Sequence, residues 1–292
     1  METFGTLVMA GLANGSLYAL VALGLVLIYR TQDVVNFAHG EILMVGGFVG
    51  YSAFQIFGFS YPLAMLAAII FCGLLGAVLE RTVLRPVSNH HHITLAMVTI
   101  GLSFALRGVA RLTYGSDIYT FPPMFVETPS ITVFGVVITT QSLVTIVAAL
   151  VLGTLIYLFF KSTTLGKQMR ATQQNATGAR LVGINTGRVF SITWALASAA
   201  GAAAGVLAAP MTLLYPDVGT NFLLKGFAAA VLGGFDNVHG AIIGGLVIGI
   251  IEMVFGGYIS TAFQHISAFC VIMFVLFVRP NGLFGRKQVK RV

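Results

Sequence analysis

Polar groups stand out in this sequence because so little of it is polar. Asn36-Phe-Ala-His-Gly-Glu41 brings an amide, an imidazole and a carboxylate together, and Gly233-Gly-Phe-Asp-Asn-Val-His-Gly240 repeats the theme with Asp236, Asn237 and His239. Each stretch has a single histidine, with Glu41 or Asp236 as the nearby acid, so neither has the set of groups a metal or hydrolytic site requires. The chemistry open to them is hydrogen bonding and placement of charge. Both precede paired glycines, Gly46-Gly47 and Gly244-Gly245. Two arrangements fit. Either helices break and line a cavity, because irregular backbone at membrane depth is tolerated only against protein or water, or the stretches cap and hinge helices at a membrane surface. The shared order of Asn, His-Gly and Gly-Gly suggests a parallel repeat relating the first two helices to the seventh and eighth. Asn36, His39, Gly40, Glu41, Asp236, Asn237, His239 and Gly240 are the candidates for a translocation path and gate, with the histidines and acids fixing the inner ends of the Gly-rich helices. Glu252 joins them, since a carboxylate deep in an apolar run must pair, protonate or face a wet path.

The elements that position these groups must be membrane helices. Of 292 residues 57% are hydrophobic and 9% charged, against roughly 25% charge in soluble domains, which excludes an ordinary soluble fold. Long apolar runs fall at about 4–29, 41–59, 61–79, 93–113, 141–160, 188–209, 222–235, 241–258 and 262–278. The seventh is short enough to be a half-length or re-entrant element. Continuous rather than alternating apolarity excludes a barrel. The fold class is therefore all-α, a polytopic membrane bundle of about eight to nine segments, some broken or short, making one domain over residues 1–292. The first run is too long for a signal-peptide core and reads as a retained helix. Cys72 and Cys270 lie in apolar runs and behave as small hydrophobes.

Thirteen of the sixteen basic residues fall in alternate connections: Arg30, Arg81, Arg85, Lys161, Lys167, Arg170, Arg180, Arg188, Arg279, Arg286, Lys287, Lys290 and Arg291. The opposite loops, 114–140 and 210–221, carry Asp117, Glu127 and Asp217 and no Lys or Arg. The positive-inside bias places the N-terminus outside and the C-terminus inside. Net charge of +7 then points to anionic lipid rather than nucleic acid. Arg107, Arg111 and Lys225, near outer helix ends, are expected to snorkel to the interface. Charge at depth is expected to amount to little beyond Glu252, leaving a weak path with few fixed charges.

Among the connections, 131–138 has the β-branched residues and central glycine of a short hairpin, either a docking surface or a cap. The inner stretch 161–187 accommodates two short helical turns around Asn175, either a plug for a partner's groove or a basic helix resting on lipid. Gly201 and Gly205 with Ala197, Ala204 and Ala208, and Gly240, Gly244, Gly245 and Gly249, form small-residue ridges suited to close helix packing. His90, His91 and His92 read as solvated loop residues. No GxxxxGK[ST] phosphate loop occurs. An intramembrane enzyme would need paired catalytic groups at depth, which the pattern lacks; a stand-alone secondary transporter or channel is the stronger rival.

Several segments together resemble the permease family of branched-chain amino acid ABC importers. They are Asn14-Gly-Ser-Leu-Tyr-Ala-Leu-Val-Ala-Leu-Gly-Leu25, Asn36-Phe-Ala-His-Gly-Glu41, Ile100-Gly-Leu-Ser103, Arg180-Leu-Val-Gly-Ile184 and Arg279-Pro-Asn-Gly-Leu-Phe-Gly285. The second points to the H-type rather than the M-type permease. The resemblance implies a multi-pass subunit of the bacterial cytoplasmic membrane, paired with a paralogous M-type permease. It implies two cytoplasmic ATPases, which would bind the ATP and Mg that this chain does not, and a periplasmic amino-acid-binding protein. It also implies a coupling segment seated in an ATPase cleft, for which Gly166, Arg170, Ala171, Asn175, Ala176, Arg180, Gly183 and Ile184 are the candidate residues. That segment has Gln174-Asn-Ala-Thr-Gly178 where importers in general carry Glu-Ala-Ala-x-x-x-Gly. Close relatives carry urea or short amides, so the resemblance fixes transport more firmly than substrate.

The orientation is testable by cysteine labelling after Cys72 and Cys270 are replaced by alanine. A cysteine at Ser130 should react with a reagent confined to the periplasm and one at Gln173 should not. The reverse pattern would invert the assignment.

Overall fold

The computed structural model describes residues 2–87, 92–124, 130–133 and 136–285. His90 and His91, Glu127 and Pro129, the hairpin tip Phe134-Gly135, and Arg286, Lys287, Lys290 and Arg291 lie outside the described residues. Eleven α-helices are described: α1 Glu2–Gln32, α2 His39–Gln55, α3 Tyr61–Leu79, α4 His92–Tyr114, α5 Thr140–Ser162, α6 Thr164–Gln174, α7 Ala176–Leu181, α8 Thr186–Ala208, α9 Val218–Gly233, α10 Val238–Tyr258 and α11 Thr261–Val278. All nine apolar runs are helices, and six of these (α1, α3, α4, α5, α8 and α10) are long and apolar enough to cross a membrane. The chain is a polytopic helical membrane bundle, as its composition predicts.

Two faces are distinguished by what the connections carry. The basic face bears α6 and α7. The opposite face bears the expected hairpin, β1 Ile131–Val133 against antiparallel β2 Val136–Ile138, with Ile131 opposite Ile138. Val136 packs against Gly5, capping the start of α1. Beside it Phe48, Tyr51, Tyr114, Tyr119 and Phe121 form an aromatic layer, closed by paired backbone hydrogen bonds between Tyr119 and Leu214.

The core is α1, buried from Leu17 to Ile28. Lipid supplies no hydrophobic drive between helices, so close backbone contact has to supply the packing energy. On α10, Gly245 and Gly249 fit against Ala19 and Gly15; a Cβ on Gly249 would fall 2.3 Å from the Gly11 carbonyl oxygen. On α8, a Cβ on Gly205 would fall 2.1 Å from the Leu43 carbonyl oxygen of α2. The ridges read from the sequence are these seams, and Gly11 and Gly15 are their partners on α1.

Two helices begin inside the bundle. Asp33, at φ 56°, ends α1 in the left-handed conformation that Asp tolerates, and the chain turns inward rather than across the surface. Phe37 N–H donates to Thr99 Oγ1 at 3.2 Å, and Ala38 N–H to Asn36 Oδ1 at 3.0 Å. His39 then lies between Gly24 of α1 and Gly201 of α8, about 12 Å from the basic-face end of α1 at 1.5 Å per residue. From there α2 rises to the hairpin face. The chain after α8 does the reverse: Leu214 packs on Gly47 at the hairpin side, and α9 begins at Gly40's level and runs to the basic face. The two starts touch, so that a Cβ on Gly40 would sit 2.2 Å from the Gly219 oxygen and one on Gly219 2.4 Å from the Gly40 oxygen. The seventh segment is thus a half-length helix that completes a crossing, the first of the two forms its length allows.

The seams make a stability prediction. Gly249→Leu should destabilise the folded bundle by about 3 kcal/mol or more, because backbone rather than a mobile side chain blocks the new group. Gly101→Leu, with open space around it, should change stability by less than about 0.5 kcal/mol. Thermal denaturation in detergent compares the two, and equal effects would refute the packing assigned to α1 and α10.

Candidate functional site

Where α2 and α9 begin, side chains of opposite charge alternate. Glu41, in the first turn of α2 and only 2% exposed, accepts a hydrogen bond from Arg107 Nη2 of α4 at 2.5 Å. The same nitrogen donates to Thr220 Oγ1 at 2.8 Å, and the Thr220 hydroxyl is 3.4 Å from Glu41 Oε1. Arg107 Nη1 reaches Asp217 Oδ1 at 3.3 Å, and Arg111 Nη2 meets Asp217 Oδ2 at 2.8 Å. The ladder sums to zero charge and climbs from the bundle interior to a 290 Å³ cavity on the hairpin face lined by Arg111, Ser116, Leu213, Tyr215 and Asp217. Glu41 sits at a helix N-terminus and beside a second, both of which carry partial positive charge. Glu41 Oε2 and Arg107 Nε have no hydrogen-bond partner among the described residues.

Arg107 therefore does not snorkel as expected. Its side chain leans toward the N-terminus of α4, as helical Cα–Cβ bonds do, and so points into the bundle rather than to the nearer surface. Lys225 is corrected likewise. Counting the seventh crossing from a surface placed this lysine at an interface, but α9 starts within the bundle, so Lys225 lies inside. Its Nζ binds Glu252 Oε1 at 2.6 Å and Tyr18 OH at 3.1 Å, which supplies the pairing Glu252 needed. Arg111, half exposed at the hairpin face, still reaches the surface. The expectation that buried charge amounts to little beyond Glu252 fails too, because Glu41, Arg107 and Lys225 are deep as well, and Glu80 is buried with Arg85 at the basic face.

The two polar breaks are not equivalent. Asn36 and His39 are fully buried in the interior, not at the inner helix ends as the gate reading placed them. The break at 234–237 is a surface turn of the basic face. Gly234 adopts φ 92°, and Asn237 caps α10, its Oδ1 accepting from His239 N at 3.0 Å and Gly240 N at 3.3 Å. His239 is exposed with its ring 4.4 Å from that of Tyr157, and Asp236 lines a 500 Å³ basic-face cavity with Arg30, Gln173 and His239. α9 and α10 lie side by side through Gly233 and Gly240, while α2 leaves α1, so the repeat seen in the sequence has no counterpart in geometry. The tail motif explains itself here: Leu283 N–H donates to Leu232 O at 2.8 Å and Phe284 N–H to Gly233 O at 3.3 Å. These bonds satisfy carbonyls that the end of α9 leaves free.

The 161–187 stretch forms two helices hinged at Asn175, which ends α6 and caps α7 through Gly178 N–H at 2.8 Å. Gly166 is required because a Cβ would fall 2.2 Å from Phe160 O, and Gly183 adopts φ 85°. Arg170 turns back to donate to Phe160 O, with its guanidinium over the Phe160 ring. Ala171 is half-buried, and Ile184 folds back with its N–H on Ala179 O. Ala176 and Arg180 line a 490 Å³ cavity with Arg30, Asp33, Asn175 and Asp236. Projecting beyond them are Leu181 and Val182, 84% and 77% exposed. Sequence reasoning missed these two, as it missed Thr220 and the pairings of Arg107, Asp217 and Lys225. A usable signal did exist for Arg107, which lies two turns short of the end of α4.

A family model described as the branched-chain amino acid transport system / permease component matches residues 7–278. The high-affinity branched-chain amino acid transport system permease protein LivH of Salmonella typhimurium is 33% identical, over 97% of this chain and 96% of that one. The Escherichia coli K12 LivH is 34% identical over the same shares, and the Pseudomonas aeruginosa permease BraD 32%, again over 97% and 96%. The solved PsaBC from Streptococcus pneumoniae, in complex with Fab, shares the fold with a TM-score of 0.50 at 17% identity, covering 93% of this chain and 91% of that one. Matched across nearly its whole length, this multi-pass chain belongs to the branched-chain amino acid transport system permease family.

Proposed function

We propose that the chain is the H-type translocating subunit of an ATP-driven importer of branched-chain amino acids in the bacterial inner membrane. In this reading the basic face is cytoplasmic, the N-terminus is periplasmic, and the bundle pairs with a paralogous M-type permease. Two ATPase subunits supply ATP and Mg, and a periplasmic binding protein delivers the amino acid at the hairpin face. The observation that supports this most directly is α6 and α7. Two large apolar side chains, Leu181 and Val182, project from a basic surface outside the apolar spans, where solvent would leave them uncovered. An ATPase cleft covers them, and the sequence's lack of a phosphate loop of its own makes such a partner necessary for ATP-driven transport. The occupants of this interface are then Leu181, Val182, Asn175, Arg180 and Gly183. Gly166, Arg170, Ala171, Ala176 and Ile184 hold the segment's shape rather than touch the partner.

Leu181→Asp/Val182→Asp should lower co-purified ATPase by about tenfold and abolish uptake. Because both side chains are exposed, the thermal stability of the permease itself should change by less than about 0.5 kcal/mol. Full ATPase association in that variant would refute the coupling role.

A further inference from the structure

We infer that the Glu41–Arg107 pair, where the N-termini of α2 and α9 meet, is a way-station that binds the charged head group of the transported amino acid; this rests on the function proposed above. The first argument is complementarity. An amino-acid zwitterion carries one carboxylate and one ammonium, and the pair offers one unused donor, Arg107 Nε–H, and one unused acceptor, Glu41 Oε2. Both atoms are buried in this arrangement, so a zwitterion docks when the helix starts part enough to uncover them; it then leaves the 2.5 Å ion pair and the net charge of the site intact. Its carboxylate would accept from Arg107 and its ammonium would donate to Glu41. Urea and other neutral amides fill the same donor and acceptor without the charge that strengthens each bond.

The second argument is exposure at depth. Glu41 lies about 16 Å below the level of Ser52, near the hairpin-face end of α2, roughly the midplane of a 30 Å hydrocarbon core. Arg107 nevertheless remains 20% exposed at that depth, flanked by Phe104, which is 64% exposed. A guanidinium facing lipid tails is strongly disfavoured, so this face of α4 turns away from lipid, toward water in the proposed path. Arg111 and Asp217 continue the polar surface to the hairpin-face cavity. Charged side chains therefore run from the delivery side to the pair, with the Phe104 ring beside it for an apolar side chain. Glu252 also has an unused oxygen, and Lys225 is 16% exposed, but among the described residues no unpartnered donor lies beside it and no further ion pair links it to the hairpin-face cavity.

The assembled transporter in proteoliposomes, with its binding protein and labelled leucine, tests the inference. Glu41→Gln/Arg107→Met removes both charges at once, leaving no unpaired ion in the membrane. Arg107→Lys keeps the charge and removes the Nε donor. The double variant should assemble and melt close to the parent, yet lower uptake by about tenfold or more, and Arg107→Lys should lower it by about fivefold. A diazirine analogue of leucine should label α4 around Phe104 in the parent and not in the double variant. Uptake within about twofold of the parent in the double variant, or undiminished labelling, would overturn the site. If the double variant does not assemble, parental uptake by Arg107→Lys overturns it alone. A parent transporter that carries urea but no leucine would overturn the functional reading itself, whereas leucine uptake unaffected by the variants overturns only this site.

Discussion

Backbone amides cannot go unpaired in hydrocarbon, and that constraint governs how this bundle accommodates two helices that start in its interior. At 36–38 the chain is irregular at a depth where neither water nor lipid can satisfy it. Thr99 and Asn36 supply the acceptors for Phe37 and Ala38, and the enclosing surfaces of α1 and α8 exclude lipid. Only glycines at 24, 40, 201 and 219 let the backbones come close enough to do this. The break, the glycine seams and the central burial of α1 are thus one arrangement: close packing makes an interior irregular segment tolerable, and the irregular segment puts helix starts where only continuous helix would otherwise be.

Those helix starts explain the charge. A helix N-terminus carries a partial positive charge, and two of them meeting inside a membrane call for an anion, which Glu41 provides. Glu41 in turn needs a cation, and Arg107 reaches it from α4. Asp217 and Arg111 extend the alternation outward to solvent. Each partner makes the next one tolerable, and the chain of pairs ends where water begins. The Lys225–Glu252 pair follows the same rule among α1, α9 and α10, with Lys225 16% and Glu252 2% exposed.

How much of this was legible in the sequence depended on whether a property was local. Helix placement, the short seventh segment, the hairpin at 131–138 and the two helices around Asn175 follow from apolar runs, β-branched residues and caps, all set by near neighbours. The glycine ridges on α8 and α10 were also legible, because helical spacing alone reveals them. Pairings across the fold were not. Arg107 and Lys225 looked like interfacial residues because each stood near the end of an apolar run, and only the inward starts of α2 and α9 show that those ends are not at the surface. The two Asn…His-Gly breaks looked alike in residue order, yet Asn36 bonds within a buried segment and Asn237 caps a surface turn. The tail's docking on α9 likewise joins two motifs far apart in sequence, each visible alone.

The central claim is that α4 presents a wet face at mid-membrane beside Arg107. Thiol accessibility measures this directly, with single cysteines at Phe104 and at Val151, which is similarly exposed and lines an apolar groove on α5 at about the same depth. The account predicts that Phe104→Cys reacts with a small water-soluble thiol reagent about tenfold or more faster than Val151→Cys, since it is the thiolate, which water stabilises, that attacks the reagent. Equal, slow reaction at both positions would mean that this face meets lipid or protein rather than water, and would contradict the account.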